Sequence, residues 1–220
     1  KPKENASQEA GKEEMEVVEE AEWTVLFDGS SFDGWHIYNG GEVGAPWKLE
    51  DGAMIFDPSL DESEGKHFNL VTDAEYTNFK LSLEWMVTEG ANSGVMWGVV
   101  EDEKYGEPYM TGPEIQVLDN VGHPDGKNGT SHQAGALYDM VSPAEDVTKP
   151  LGEWSHFVIT INHETNEGSV VLNDTTVAEF PVNGEAWNQM VSKSKFADWE
   201  GFGEFKTGKI ALQHHGEPIV

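Results

Sequence analysis

The sequence contains no cysteine and no arginine. The first absence excludes a disulfide framework and a thiol nucleophile. The second leaves only lysines among its 13 basic side chains, set against 41 Asp and Glu, for a formal net charge of −28. Nucleic acid needs cationic side chains to replace its counterions, so it is excluded as a partner, and anionic membrane surfaces are disfavoured for the same reason. No apolar run approaches the roughly 20 residues of a membrane-spanning helix. There is also no G-x-S-x-G, no H-E-x-x-H and no glycine-rich phosphate loop ahead of a helix. A neutral or cationic ligand suits this acidic field, which also serves solubility.

What is present falls into two parts. Residues 1–22, "KPKENASQEAGKEEMEVVEEAE", are rich in glutamate with almost nothing to bury, and read as an acidic flexible tether. Such a tether, starting at Lys1, suits a processed extracytoplasmic protein, periplasmic or on the cell surface, with a lipid anchor upstream of residue 1. Residues 23–220 show short strand-like runs separated by turn residues and read as one β-sandwich domain. "TVLFDG", "WKLEDGAMIFD" with its Asp-Gly turn, "FKLSLEWMVTE", "SGVMWGVVE", "PEIQVLDN", "GALYDMV", "WSHFVITINHE", "GSVVLNDTTVAEF" and "GKIALQHHG" are the main candidates. Period-two alternation over residues 80–85 and 156–162 marks half-buried antiparallel strands, and a single short helix is expected near residues 186–194.

The stretch "TGPEIQVLDNVGHPDGKNGTSHQAGALYDM" holds the polar groups of most interest. Alternation places Glu114 and Gln116 on one strand face, either a solvent face or the floor of a groove. In a groove, desolvation would raise the pKa of Glu114 and suit it to acid–base work. Asp119, His123, Asp125, His132 and Asp139 are chemically competent ligands for a divalent metal, but their spacing matches no established motif. Tryptophans, Trp97 among them, offer stacking faces for sugar rings, although most are expected in the core.

Taken together, "LFDGSSFDGW", "ANSGVMW", "TGPEIQVLDN", "AGALYDM", "KPLGEWSHFVI", "SKF" and "GKIALQHHG" resemble the 3-keto-disaccharide hydrolase family in order and spacing over residues 23–220. The resemblance implies an all-β, two-sheet antiparallel β-sandwich, a concanavalin A-like jelly roll with a concave ligand-binding face. It implies a carbohydrate substrate carrying a 3-ketone, cleaved by elimination and rehydration. On this reading Glu114 is the base or a metal ligand, and His132 and Tyr138 contact the leaving oxygen or the enolate. Asn92, Ser93, Trp97, Gln116, Asp119, Lys195, Gln213 and His215 would bind the sugar. A non-catalytic carbohydrate-binding module is the competing reading, and a two-carboxylate glycosidase pairing Glu114 with Asp119 or Glu84 is a third. The sequence departs from the family in three places: His214 stands where members carry aspartate in "LQDHG", Ser155 replaces the asparagine of "GEWN", and no "FRN" strand follows "GEPIV".

Overall fold

The structure is a computed structural model that describes residues 22–62 and 67–216. Apart from Glu22, the expected tether lies outside the described residues, as does the end of the chain beyond Gly216. The described strands are β1 (Trp35–Ile37), β2 (Trp47–Glu50), β3 (Ala53–Phe56), β4 (Leu70–Thr72), β5 (Phe79–Trp85), β6 (Asn92–Val99), β7 (Glu114–Leu118), β8 (Ser155–Asn162), β9 (Glu167–Leu172), β10 (Thr175–Phe180) and β11 (Lys209–Leu212). One α-helix, α1 (Gly184–Ser192), precedes β11. The strands form a five-stranded sheet in the order β1-β4-β11-β6-β7, a four-stranded sheet in the order β10-β9-β8-β5, and the separate hairpin β2-β3. Every pairing between these strands is antiparallel, as expected for a jelly-roll sandwich.

The core lies between the two larger sheets. From β8, Phe157, Ile159 and Ile161 point inward, while the residues between them are only half-buried, the two-residue period of a sheet with one covered face. Val95, Trp97, Ile115, Val117 and Ile210 meet them from the five-stranded sheet, and Trp97 stacks on Phe180 of β10 with ring centroids 6.0 Å apart. Each such side chain contributes roughly 1.5–3 kcal/mol by leaving water.

Turn chemistry decides where strands end. Asp51 and Gly52 both take positive φ, 52° and 79°, so the β2-β3 hairpin closes as its sequence predicts. Asn173 and Asp174 do the same between β9 and β10, at 47° and 65°. The run read as one strand over residues 168–180 is therefore two strands of a hairpin. Two other expected strands are absent. Residues 24–29 join no ladder, although Leu26 O accepts the indole N–H of Trp35 at 2.8 Å. "ALYDM" is a tight turn held by isolated bridges from Leu137 to Ile115 and to Val141.

That turn belongs to the long connection between β7 and β8, residues 119–154. It folds back on the β7 edge, where Gln116 N donates to Ala136 O at 3.1 Å and Tyr138 N to Glu114 O at 2.9 Å. The otherwise open edge is thereby covered, and the loop's polar side chains are fixed beside the outer face of the five-stranded sheet.

Candidate active site

On that outer face lies a cleft of about 570 Å³. Strand alternation supplies its floor: Asn92 from β6, Glu114 and Gln116 from β7, and Gln213 just beyond β11. The intervening Ser93, Val95, Ile115 and Val117 point the other way, between the sheets. Asp125 and Tyr138 line the cleft from the 119–154 loop, and Lys195, Phe196 and Trp199 from the segment after α1. Tyr109 comes from the β6-β7 connection, and the rings of His123 and His215 stand edge to face at 5.6 Å.

Glu114 is 8% exposed. Burial pushes its carboxyl up to about 8, against the opposing pull of the Lys195 ammonium and with a smaller upward push from Asp125. Its side chain runs over Gly94, where a Cβ would collide with the carboxylate. The Lys195 ammonium sits 4.3 Å from the centroid of the Tyr138 ring, a cation–π contact. Tyr138 donates its hydroxyl proton to Asp125 Oδ2 at 2.8 Å, and burial with the adjacent carboxylate raises its pKa far above the ordinary phenol value. Asp125 behaves oppositely. Burial raises its pKa, but hydrogen bonds from His132, Asn128 and Tyr138 outweigh that and keep it below the usual carboxylate range. Gln116 Nε2 donates to His132 O at 3.2 Å, whereas the buried amide oxygens of Gln116 and Gln213 have no protein partner.

Residues 22–220 match the model of the 3-keto-alpha-glucoside-1,2-lyase-like domain family. The chain belongs to this family. A Bacteroides thetaiotaomicron protein of the family's kind, a 3-keto-disaccharide hydrolase, is 34% identical over 90% of this chain and 75% of its own length. A solved Parabacteroides distasonis protein assigned as a glycosyl hydrolase is 29% identical and superposes with a TM-score of 0.81, covering 89% of each chain. A second protein of that organism, with the same assignment, shares the fold at 24% identity and a TM-score of 0.63, over 84% of this chain and 93% of its own.

Of the residues the family resemblance singled out, the cleft gathers Glu114, Tyr138, Asn92, Gln116, Lys195, Gln213 and His215. Four others lie elsewhere. Trp97 is in the core against Phe180. Ser93 points between the sheets and donates to Gln213 O at 2.8 Å. Asp119 caps a turn, accepting from the amides of Gly90, Val121 and Gly122. His132 stands behind the cleft, with Nδ1 2.8 Å from Asp125 Oδ1 and Nε2 3.0 Å from Asp139 Oδ1, so each ring nitrogen has a carboxylate partner. Asp119 and Glu84 also fail as the second carboxylate of a two-carboxylate site, since Glu84 is exposed on the four-stranded sheet.

Of the candidate metal ligands, Asp125, His132 and Asp139 bond to one another, and among the described residues no three His, Asp or Glu side chains are placed to hold a metal ion. Of the two departures from the family pattern within the described residues, one lies away from the cleft and one borders it. Ser155 Oγ accepts Lys149 N at 3.0 Å, away from the cleft. His214, 3% exposed, borders the cleft but accepts Phe68 N at 2.7 Å through Nδ1, with Asp61 3.6 Å from Nε2. Tyr109, Asp125 and Phe196 are cleft residues that sequence reasoning did not place there, and Trp199 is the tryptophan that lines the cleft. Tyr109 and Asp125 sit in single 3-10 turns, and Phe196 and Trp199 in the segment after α1, where no strand period assigns a direction.

Proposed function

We propose that this protein cleaves the glycosidic bond of glycosides whose sugar ring carries a 3-ketone, by elimination followed by hydration. The observation that carries this reading is Glu114, a buried carboxylate on the floor of a polar, aromatic-walled cleft with its pKa raised to about 8. Family membership and the 34% identical 3-keto-disaccharide hydrolase support it.

A ring ketone withdraws electrons from the adjacent C–H, so a single carboxylate suffices as base where an ordinary glycosidase needs two carboxyl groups about an oxocarbenium-like centre. Glu114 takes the proton from the carbon between ketone and anomeric centre. The electron pair left behind forms an enolate, which collapses and expels the glycosidic oxygen. That oxygen leaves protonated, by return of the proton from Glu114 or by donation from water. Water then adds to the enone, giving net hydrolysis. The Lys195 ammonium is the cation suited to the enolate charge. Tyr138, its proton committed to Asp125, serves as an acceptor for a substrate hydroxyl. With a pKa of about 8, roughly a tenth of Glu114 is ionised at pH 7, so turnover rises toward pH 8.

The test is release of free sugar from a 3-keto-disaccharide beside its unoxidised parent, for the wild type and Glu114→Gln, with a parallel chelator arm. Release from the ketone alone, lost in Glu114→Gln, is expected. Equal release from the parent would overturn the elimination reading in favour of an ordinary glycosidase. Binding of both sugars with no release from either would make the cleft that of a carbohydrate-binding module.

A further inference from the structure

We propose that Asp125, His132 and Asp139 are positioning residues that lock Tyr138 and Lys195 around the Glu114 carboxylate, an inference that rests on Glu114 being the reacting base. The hydrogen bonds form a closed circuit. Tyr138 Oη donates to Asp125 Oδ2 at 2.8 Å, and Asp125 Oδ1 stands 2.8 Å from His132 Nδ1. His132 Nε2 is 3.0 Å from Asp139 Oδ1, and Asp139 Oδ2 accepts the backbone N–H of Lys195 at 2.8 Å. The ammonium of Lys195 then returns to the face of the Tyr138 ring at 4.3 Å.

Two features separate this circuit from ordinary surface polarity. Its side chains are largely buried, at 15% exposure for His132, 17% for Asp125 and 23% for Asp139. Asp139 also holds φ at 60°, a left-handed conformation that a non-glycine residue keeps only when its surroundings over-determine it. In that conformation its two carboxylate oxygens serve two partners, His132 in its own loop and Lys195 in the segment after α1. Asp139 and the Lys195–Tyr138 contact are thus the clip between the 119–154 loop and the segment after α1. Of the two groups that the clip holds, Lys195 acts on the reacting carboxylate and Tyr138 feels its charge. Lys195 and Asp125 are its charged neighbours, Tyr138 and Tyr109 are coupled to it, and His67, His123, His214 and His215 line the same cleft. Of these, Lys195 alone is a lysine, and it opposes the upward push of burial on Glu114.

The experiment compares Asp139→Ala with Asp139→Asn in the full chain. It reads kcat and KM separately on the 3-keto-disaccharide, melting temperature, and the titration of Glu114 by carbon-13 NMR of glutamate-labelled protein, assigned with Glu114→Gln. In Asp139→Ala the backbone N–H of Lys195 loses its anchor and the ammonium drifts from the cleft, so the Glu114 midpoint moves to higher pH, the acid limb of kcat/KM follows it, and kcat/KM falls about 10²-fold. Asp139→Asn keeps an acceptor for Lys195 N and restores most of both. Lys195→Met reproduces the upward shift without touching the circuit's carboxylates. If Asp139→Ala does not fold, His132→Gln opens the middle link and is expected to shift the midpoint in the same direction. An Asp139→Ala protein that melts earlier but titrates Glu114 as the wild type does would overturn the proposal. Turnover persisting in Glu114→Gln would instead remove the base assignment, and the NMR titration would still decide whether the circuit holds Lys195.

Discussion

Replacing Gly94 with alanine tests the site at its tightest point. Gly94 lies in β6 beside Gln116 of β7, with its carbonyl accepting Gln213 N at 2.9 Å. A Cβ there would stand 2.6 Å from both Cγ and Cδ of Glu114 and closer still to a carboxylate oxygen. That is about 1 Å inside ordinary carbon contact distance. Its φ lies outside the left-handed region, so alanine meets no backbone penalty, and the loss of glycine's extra unfolded-state freedom favours the folded state by about 0.5–1 kcal/mol. The strand cannot retreat, because β7 and β11 pair with it on either side. The carboxylate must therefore swing by roughly 1 Å, a displacement that costs about 10²-fold in turnover, or about 2.7 kcal/mol of transition-state stabilisation. Gly41→Ala, where nothing lies within 4 Å, is the control. Initial rates on the 3-keto-disaccharide and thermal melts of both variants give the answer. Gly94→Ala turning over at the wild-type rate with an unchanged melting temperature would refute the placement of the Glu114 carboxylate over Gly94.

Glu114 makes a second prediction through pH. Its folded pKa of about 8 lies above the ordinary glutamate value of 4.5, so its contribution favours folding below about pH 4.5 and is lost as pH rises through 8. The effect is on the order of 5 kcal/mol, so Glu114→Gln melts several degrees above the wild type at pH 9 and close to it at pH 5, and parallel melting curves would contradict this. Trp97→Ala, which empties the core beside Phe180, costs about 3–5 kcal/mol in urea unfolding. Trp199→Ala, whose ring packs on Tyr109, Phe196 and Phe202, also lowers the melting temperature but in addition raises KM up to about tenfold through a lost stacking face, and the KM effect distinguishes the two. His214→Asp places a second carboxylate beside Asp61 and removes the ring packed on Phe56. It lowers stability by about 3 kcal/mol, measured by urea unfolding, and a more stable variant would show that the family's aspartate is tolerated here.

The sandwich was legible wherever a local rule acts alone. Asp51-Gly52 fixes a hairpin, and alternation in residues 156–162 marks a one-sided strand. Asn173-Asp174 carries the same turn geometry but sits inside a run that also satisfies a strand pattern, so it was overlooked. In the site, Glu114 and Gln116 were correctly set on one face, but the sequence does not show what covers that face, since the cover comes from residues 119–154 folding back over the edge. The misplacement of Ser93 and Trp97 had a readable cause. Once Asn92 faces the cleft, a period of two turns Ser93, Val95 and Trp97 toward the other sheet. The resemblance alone assigns His132 to the leaving oxygen or the enolate, while its two carboxylate partners, Asp125 and Asp139, become neighbours only when the loop closes.

Strand β7 carries two interleaved messages. Glu114 and Gln116 address the ligand, while Ile115 and Val117 bind the sheets together. Point substitutions at one set leave the other undisturbed, so ligand preference can drift across generations on a constant scaffold. Insertion or deletion of one residue within these five positions would exchange the two sets, burying the carboxylate in the core and exposing valine and isoleucine to water. This segment should therefore accept varied residues during evolution yet refuse any change in length.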